Sequence, residues 1–310
     1  MKKLAFLFPG QGSQTVGMGK DLYDSSDEVR NYYDNAEKIL GFPLKEYSFE
    51  GPDEKLKQTY ITQPALFVHS FALTGLLAGY NIKPVIAAGH SLGEYSALTA
   101  AGVGEFDDIL QIVKVRGELM QSAGEKSPGT MAALIGGDRD GAEAVCENAR
   151  EKGIVQPANF NAPGQIVVSG SVEGVREVIR IAKDFGFKRA LELNVSGAFH
   201  SPLMADATAG LIEKIKSTNL KTAKIPVVAN ATAVSMTEPE EIKTNLEKQL
   251  LSPVLWSDSI MFMSEANVDA FVEVGSGKVL QGLSKRIIKD IPCYNISTLE
   301  DIDKFVEELK

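Results

Sequence analysis

The sequence predicts an α/β fold in which a large domain, built on a mostly parallel sheet, carries a small inserted unit. Short apolar runs alternate with longer segments whose apolar residues recur at helical spacing, which is typical of strands separated by helices. The pattern changes near residue 127, and strand-like segments follow one another more closely until about residue 196. The chain has 310 residues, which suits two units of roughly 100–200 residues each.

The predicted large domain takes its elements from residues 1–126 and 197–310. Leu4–Phe8 and Pro84–Gly89 are short apolar runs ended by turn signals, and they predict buried strands. Pro64 falls in the first turn of its predicted helix, where a proline is tolerated. Strands separated by helices predict a mostly parallel sheet. The other predicted elements are helices at 28–40, 63–77, 106–120, 202–217 and 278–289, and strands at 226–230 and 270–274.

The predicted insert spans residues 127–196. Its segments follow the order β-α-β-β-α-β, the split βαβ pattern of a ferredoxin-like unit. We therefore expect a small ferredoxin-like subdomain inserted into the large domain. The segments are strands at 130–135, 154–159, 165–169 and 189–195, and helices at 139–152 and 172–185.

Composition narrows the classes of function. The formal net charge of −9 argues against non-specific binding to nucleic acid or to an anionic membrane, which needs a basic surface. No apolar stretch approaches the ~18–20 continuous residues of a membrane span. Cys146 and Cys293 match no zinc spacing, and we expect two reduced thiols in a cytoplasmic protein without a metal site.

The strongest local signal is Gly89-His90-Ser91-Leu92-Gly93, which matches the nucleophile-elbow pattern G-x-S-x-G. The glycines remove side chains that would clash where a strand reverses sharply into a helix. The serine then stands above the carboxyl ends of the strands, and the helix presents its N-terminal amides to an oxyanion. This context predicts a large domain of the α/β-hydrolase type with Ser91 as nucleophile. The alternative is a tight turn with a solvated serine.

A serine nucleophile needs a base, and the sequence has three histidines. His90 adjoins Ser91, so its side chain should point elsewhere, and His69 lies mid-helix among apolar residues. His200 lies in a loop between a predicted strand and a helix, and by elimination it is the candidate base. No carboxylate stands out as a third member of a triad.

Two further glycine clusters follow predicted strands. Neither Gly10-Gln11-Gly12 nor Gly275-Ser276-Gly277 fits a phosphate-binding loop, because the spacing of glycine and lysine is wrong. The second cluster is either a plain helix-start turn or a turn beside an anionic ligand.

Six motifs in register carry a specific resemblance to one family. They are Pro9-Gly10-Gln11-Gly12-Ser13-Gln14, Gly89-His90-Ser91-Leu92-Gly93-Glu94, Arg116-Gly117-Glu118-Leu119-Met120, Asn159-Phe160-Asn161-Ala162-Pro163-Gly164-Gln165, Phe199-His200-Ser201 and Lys248-Gln249-Leu250. Together they resemble the malonyl-CoA:acyl carrier protein transacylases, an acyltransferase family of bacterial type II fatty acid synthesis. The resemblance spans essentially the whole chain.

The resemblance implies roles for particular residues. Ser91 takes the malonyl group from coenzyme A as an ester and passes it to the phosphopantetheine thiol of acyl carrier protein, with His200 as the base. The backbone carbonyl of Gln249 orients the histidine, and the backbone amides of Gln11 and Leu92 form the oxyanion hole. No cofactor is expected.

The resemblance also implies a substrate pocket. Arg116 binds the free carboxylate of malonate, for which a planar guanidinium offers two parallel hydrogen bonds. Phe199 and Leu92 favour a tight malonyl pocket without room for an α-methyl group. Asn159 and Gln165 either line the site between the two units or fix the backbone of the insert.

Carrier proteins of this pathway are strongly acidic, so docking on a chain of net charge −9 needs a local basic patch. Lys188, Arg189, Lys285 and Arg286, with Lys289 beside them, are the candidates. The alternatives are an ordinary solvated face or a contact with the phosphates of coenzyme A, to which Arg189 is the best suited.

Three other functions remain open at this point. A trans-acting acyltransferase of polyketide synthesis shares the chemistry and differs in its partner. A serine hydrolase or thioesterase shares the elbow and the base but has no use for Arg116 or for the loop at Gly10–Gly12. A non-catalytic scaffold for carrier protein needs neither serine nor histidine. We expect a monomer.

Overall fold

The computed structural model describes residues 2–309, and its architecture rests on two sheets. Residues 1 and 310, the two ends of the predicted large domain, lie outside the described part. The strands are β1 (Leu4–Phe8), β2 (Pro84–Gly89), β3 (Gly129–Ile135), β4 (Val155–Ala162), β5 (Gln165–Ser171), β6 (Arg189–Glu192), β7 (Val227–Val228), β8 (Ser235–Met236), β9 (Ala270–Val274) and β10 (Cys293–Ile296).

Helices cover both faces of the larger sheet and one face of the smaller one. Two short 3₁₀ segments, Ala182–Phe185 and Pro202–Met204, extend the helical content. The α-helices are α1 (Lys20–Ser25), α2 (Asp27–Leu40), α3 (Leu44–Phe49), α4 (Asp53–Leu56), α5 (Thr59–Gly79), α6 (Gly93–Ala100), α7 (Phe106–Lys126), α8 (Arg139–Ala149), α9 (Val172–Ile181), α10 (Ala205–Ser217), α11 (Pro239–Gln249), α12 (Trp256–Glu265), α13 (Val279–Ile287) and α14 (Leu299–Leu309).

The larger sheet has the order β10-β9-β1-β2-β7-β8, and each neighbouring pair is parallel except β7–β8. The prediction of a mostly parallel sheet in an α/β fold is thus confirmed. Every residue of β1 and β9 is buried, as expected for central strands covered on both faces. Phe8 lies beside Gly89 in the register of β1 and β2, so the loops after these two strands meet at one edge of the sheet.

The smaller sheet has the order β4-β5-β3-β6, and its neighbouring strands are antiparallel. Helices α8 and α9 pack on it and enclose a separate apolar cluster that includes Val145, Val168 and Val178. This unit lies between α7 and the segment that leads to α10. It joins the large unit through β4, because the Phe160 amide donates to the Val254 carbonyl (2.9 Å) and the Val254 amide donates to the Ala158 carbonyl (2.8 Å).

Several predicted elements differ in extent from the observed ones. The predicted strand at 226–230 is only Val227–Val228, and the predicted helix at 202–217 begins as a 3₁₀ turn. Helix α5 begins at Thr59, earlier than predicted. Pro64 therefore lies inside the helix and not in its first turn, where the sequence predicts it. The earlier start is held by tertiary contacts, because the Thr59 amide donates to Gln121 Oε1 on α7 (3.1 Å).

Helix α5 has the length and apolar character of a membrane span, and it is alone in this among helices of residues 2–309. Of its most apolar window, 72% is buried inside the protein, as in a core helix. Cys146 and Cys293 are both buried and unpaired, and burial raises the pKa of each thiol to about 12. Both thiols are therefore protonated and enclosed at neutral pH.

In the turn from β2 into α6, the backbone packs directly against the backbone of β1. A Cβ atom added at Gly93 meets the Phe8 carbonyl oxygen at 2.0 Å, and one added at Gly89 meets the Gly93 carbonyl at 1.9 Å. Real Cβ atoms essentially never approach backbone so closely. Both glycines of the G-x-S-x-G motif are therefore required by packing against β1 and against each other.

We expect Gly93→Ala to lower the free energy of unfolding by about 2–3 kcal/mol, because the added methyl group must displace β1 or α6. Chemical denaturation measures this. Gly79→Ala is the matched control, since a Cβ there meets nothing within 4 Å, and it should raise stability by up to about 1 kcal/mol. Equal effects of the two substitutions would contradict the packing argument.

Candidate active site

Ser91 lies at the tip of the turn between β2 and α6 with a backbone φ of 52°. This left-handed conformation is unfavourable for a residue with a side chain and needs support from its surroundings. Asn230, in the loop after β7, supplies that support. Its Oδ1 accepts a hydrogen bond from the Ser91 amide and its Nδ2 donates to the Gly89 carbonyl, each at 2.7 Å.

Ser91 and His200 form a hydrogen-bonded pair. Ser91 Oγ lies 2.8 Å from His200 Nε2, while His200 Nδ1 lies 3.0 Å from the Gln249 carbonyl and 3.1 Å from the Ser252 carbonyl. Carbonyl oxygens only accept, so Nδ1 carries the proton and Nε2 is free to accept the serine proton. The third position of the triad is thus filled by backbone, which explains why no carboxylate stood out in the sequence.

His200 is buried, and its environment keeps it neutral. Burial lowers its pKa to about 3, and the nearby positive charge of Arg116 acts in the same direction. A general base must be unprotonated at the working pH, and this imidazole meets that condition at neutral pH. His69 is buried and His90 is half-buried, and both are neutral: burial lowers the pKa of His69 to about 4 and lowers that of His90 as well.

Arg116, from the middle of α7, is fully buried beside the nucleophile. Its Nη2 donates to Ser91 Oγ and to Gln249 Oε1, each at 3.0 Å, and its Nη1 donates to Gln63 Oε1 at 2.8 Å. Within the described residues, no carboxylate lies within 4 Å to form an ion pair with it. A buried cation without an ion-pair partner, next to a nucleophile, is suited to bind an anionic substrate group.

Gln11 and Leu92, the two residues expected to supply oxyanion-hole amides, both line the cavity at Ser91. Leu92 directly follows the serine, and Gln11 lies in the turn after β1. Neither amide has a hydrogen-bond acceptor in residues 2–309. A Cβ at Gly10 would lie 2.3 Å from the His90 carbonyl oxygen, so glycine is what allows the Gln11 turn to press against the elbow.

The nucleophile opens into a cavity of about 760 Å³ between the two units. The larger unit contributes the elbow, the loop after β1 and part of α7, and the smaller unit contributes strands β4 and β5. The predicted site residues that line it are Gln11, Ser91, Leu92, Arg116, Asn159, Gln165, Phe199 and His200.

The smaller unit contacts the elbow through an asparagine to which the sequence assigned no role. Asn161 Oδ1 lies 2.8 Å from His90 Nε2, so the His90 side chain points away from Ser91, as expected. Asn159 is buried and its backbone pairs with Val254 across the two units. Asn159 thus both faces the cavity and fixes the backbone of the insert, which were alternatives at the sequence level.

The four basic residues expected to dock acyl carrier protein are exposed, and none contacts the serine–histidine pair. Lys188 and Arg189 lie at the start of β6, and Lys285 and Arg286 lie in the last turn of α13. Arg286 is already engaged, because its guanidinium donates to the Pro163 carbonyl (3.0 Å) and to the Gln165 side chain. It therefore ties α13 to the β4–β5 turn.

The turn at Gly275–Gly277 leads into α13, and a carboxyl group from the end of β9 reaches the N-terminus of that helix. Glu273 Oε1 accepts from the Leu280 amide (3.0 Å) and its Oε2 accepts from the Gln281 amide (2.8 Å). The helix N-terminus is therefore occupied by a side chain of the protein itself, as in a plain helix-start turn. Across residues 2–309 no group of three or more His, Cys, Asp or Glu side chains is placed to hold a metal ion.

Sequence reasoning missed the polar residues that hold the site together. Asn230, Gln63 and Asn161 come from three separate segments, and each makes one or two hydrogen bonds that have meaning only after folding. Of these three residues, only Asn161 belongs to one of the six motifs that carry the family resemblance. The completed arrangement can form and resolve an acyl-serine ester whose acyl group bears a negative charge.

Comparisons with known proteins agree with this chemistry. The family described as the acyl transferase domain matches residues 5–302. The chain is 43% identical to a malonyl CoA-acyl carrier protein transacylase of Bacillus subtilis (strain 168), over 100% of this chain and 98% of that protein. It resembles an acyl carrier protein S-malonyltransferase from Vibrio cholerae O1 biovar eltor with a TM-score of 0.94 and 39% identity, covering 98% and 99% of the two chains.

A third relative was solved with a partner. It is a malonyl-transacylase in complex with a type II polyketide synthase acyl-carrier protein, and this chain matches it with a TM-score of 0.95 and 36% identity over 99% of each chain.

Proposed function

The chain belongs to the acyl transferase family, and from that premise we propose that it moves a malonyl group from malonyl-CoA to the phosphopantetheine thiol of acyl carrier protein, supplying malonyl units for fatty acid synthesis. One observation carries the choice of acyl group. The Arg116 guanidinium is buried without an ion-pair partner and lies 3.0 Å from Ser91 Oγ, where the free carboxylate of a malonyl group would need a cation.

In the first half-reaction, His200 Nε2 takes the proton of Ser91 Oγ as the oxygen attacks the thioester carbonyl. The resulting oxyanion accepts hydrogen bonds from the amides of Gln11 and Leu92. Loss of one such donor typically costs roughly 3–4 kcal/mol in the barrier. The tetrahedral intermediate then expels the coenzyme A thiolate, which takes the proton from His200, and a malonyl-serine ester remains.

The second half-reaction reverses these steps with a new thiol. His200 removes the proton of the phosphopantetheine thiol, and the sulfur attacks the ester carbonyl. The intermediate collapses with cleavage of the bond to Ser91 Oγ, which recovers its proton from His200. The low pKa of His200 in the empty site keeps its Nε2 available for each proton removal.

Arg116 and Phe199 set the acyl specificity in this proposal. Arg116 is held at two of its nitrogens, by Gln63 and Gln249, so its guanidinium plane is fixed before substrate binds. A preorganised fork pays little ordering entropy when it binds a carboxylate. Phe199 and Leu92 line the same cavity and limit the space near the α-carbon, which favours malonyl over methylmalonyl.

Acyl carrier protein docks, in this proposal, on exposed basic residues of β6 and α13 and their flanks. Lys188, Arg189 and Lys285 are exposed and form no salt bridge within residues 2–309, so their charges are available to an acidic partner. Arg286 adds a further positive charge while it holds the β4–β5 turn. The phosphates of coenzyme A are the competing ligands for these residues.

A trans-acting acyltransferase of polyketide synthesis is the second candidate function. The relative solved with a polyketide synthase acyl-carrier protein favours this second function, because that malonyl-transacylase matches this chain over 99% of the length of each. The chemistry at Ser91 is identical, and only the carrier differs. A hydrolase is disfavoured, since it has no use for the buried Arg116 or for the loop at Gly10–Gly12.

The finer architecture and setting belong to the same proposal. We assign residues 127–196 to a ferredoxin-like subdomain and residues 1–126 and 197–310 to an α/β-hydrolase-like domain. The strand order β4-β5-β3-β6 supports the first assignment, and the strand–elbow–helix sequence at Ser91 supports the second. The enzyme works as a cytoplasmic monomer without nucleic-acid or membrane partners, in line with its acidic surface and two unpaired thiols.

Intact-mass measurement after incubation with malonyl-CoA tests the transfer. We expect a malonyl adduct on Ser91 that disappears when acyl carrier protein is added, and only a small adduct from acetyl-CoA. Ser91→Ala should form no adduct, whereas Ser96→Ala, at the next serine along α6, should still form it. Release of malonate without an adduct would instead indicate a hydrolase.

We expect Arg116→Ala to lower kcat/KM for malonyl-CoA at least ~30-fold, because the carboxylate loses a charge-assisted pair worth about 2 kcal/mol or more. The malonyl-to-acetyl preference should fall with it. Arg139→Ala is the control, since Arg139 packs on Phe160 at the surface of the smaller unit. An unchanged malonyl preference would remove Arg116 from the role of carboxylate ligand.

Charge reversal tests the docking face. Lys285→Glu should slow transfer from the malonyl-enzyme to carrier protein several-fold at low salt and weaken its salt dependence. Lys304→Glu, on α14, is the matched control. If the reversal slows adduct formation from malonyl-CoA and leaves the second half-reaction unchanged, the residue serves coenzyme A.

A further inference from the structure

Glu94 is a buried acid that the proposed mechanism does not use. It follows the G-x-S-x-G motif in the first turn of α6, and its side chain is fully buried. Burial raises its pKa to about 7, although Gln249, Asn230 and Arg116 each act in the opposite direction. Burying a carboxyl group costs free energy unless hydrogen bonds compensate for the water that it loses.

The shortest contact of Glu94 is with Gln249. Glu94 Oε2 accepts from Gln249 Nε2 at 2.7 Å and more weakly from the Asn230 amide at 3.4 Å. The other oxygen, Oε1, has no hydrogen-bond partner in the described chain. A proton on Oε1 leaves Oε2 free to accept, so the contact with Gln249 persists whether or not the carboxyl group is ionised.

The Gln249 amide has one orientation that satisfies its neighbours. Its NH₂ group has two hydrogens and two acceptors, the Ser91 carbonyl at 2.9 Å and Glu94 Oε2 at 2.7 Å. The Ser91 carbonyl can only accept, and Glu94 Oε2 accepts when the carboxyl group is ionised or carries its proton on Oε1, so nitrogen faces them and oxygen faces the opposite side. On that side Gln249 Oε1 accepts from Arg116 Nη2 at 3.0 Å.

We propose that Glu94 is a positioning residue for acyl specificity: together with the Ser91 carbonyl it accepts from the Gln249 NH₂ group, so that the amide presents oxygen to Arg116 and holds the guanidinium beside Ser91. This inference rests on the proposed malonyl transfer. If the Gln249 amide were reversed, its NH₂ group would face the guanidinium, and both groups would be hydrogen-bond donors. Arg116 would then lose one of the two glutamine side chains, Gln63 and Gln249, that hold it.

The backbone of Gln249 is a separate matter. Its carbonyl accepts from His200 Nδ1 at 3.0 Å, and a substitution at Glu94 leaves that carbonyl in place. Glu94 therefore acts on the carboxylate-binding side of the site more than on the serine–histidine pair. This gives a readout that a general loss of structure would not produce.

The test compares Glu94→Met with Glu94→Gln. Met fills similar space without a strong acceptor, so the ratio of malonyl to acetyl loading on Ser91 should fall about tenfold, the scale of a lost hydrogen bond between buried groups. Gln keeps an acceptor oxygen and should retain the ratio within about twofold. The rate of labelling of Ser91 by a fluorophosphonate, which carries no carboxylate, should change little in either variant.

A double-mutant cycle locates the effect. In a Gln249→Ala background, which keeps the backbone carbonyl, Glu94→Met should cause no further loss of the ratio. An equal loss in both backgrounds, or a loss in Glu94→Gln equal to that in Glu94→Met, overturns the proposal. Glu94→Ala, which leaves space in place of a side chain, is measured in the same way if Glu94→Met does not fold.

Glu273→Met is the matched control, because Glu273 is also a buried acid and burial also raises its pKa to about 7. It accepts from backbone amides of α13 and does not contact Gln249, so stability should fall while the malonyl-to-acetyl ratio is kept. Absence of a malonyl adduct in the unmodified protein contradicts the proposed function. A normal adduct with an unchanged ratio in Glu94→Met contradicts only the role of Glu94.

Discussion

The contact between Gly93 and the Phe8 carbonyl is the constraint on which the catalytic arrangement depends. It brings the first turn of α6 against the end of β1, with 2.0 Å between the oxygen and the position of a Cβ. Because β1 and β2 are parallel neighbours, the same contact sets the Gln11 turn beside Ser91. Gln11, Leu92, the nucleophile and the N-terminus of α6 therefore share one corner of the sheet.

Around this corner the site carries a positive charge on Arg116, while the catalytic histidine is neutral. Arg116 is the buried cation, and its hydrogen bonds run to serine and amide oxygens. His200 is neutral because burial and the Arg116 charge lower its pKa to about 3. The same guanidinium thus keeps the base unprotonated and leaves a place for an acyl carboxylate.

The cavity depends on both structural units. The larger unit holds the nucleophile, the base and the arginine, and the smaller unit closes the opposite wall with β4 and β5. Contacts between His90 and Asn161, and between β4 and Val254, hold the two walls together at the elbow. Ser91 is therefore open to an acyl donor along the cleft between the units.

The sequence by itself determined the parts of this protein that are local. Apolar runs ended by turn signals placed β1, β2 and β9 at their observed limits, because a buried strand leaves a continuous apolar signature. The glycines of the elbow were predictable from the G-x-S-x-G motif, although the contacts that require them, with the Phe8 carbonyl and with each other, exist only in the folded chain. With three histidines in the chain, elimination sufficed to choose His200.

Only the tertiary structure decided what lies between distant segments. Gln249 acts through a backbone carbonyl, which any residue possesses, so its identity carries no sequence signal for that role beyond the family resemblance. Asn230, Gln63 and Glu94 reach the site from segments far apart in the chain, and a polar side chain in isolation looks like any solvated one. Their hydrogen bonds exist because the fold buries them together, and burial is a property of the whole chain.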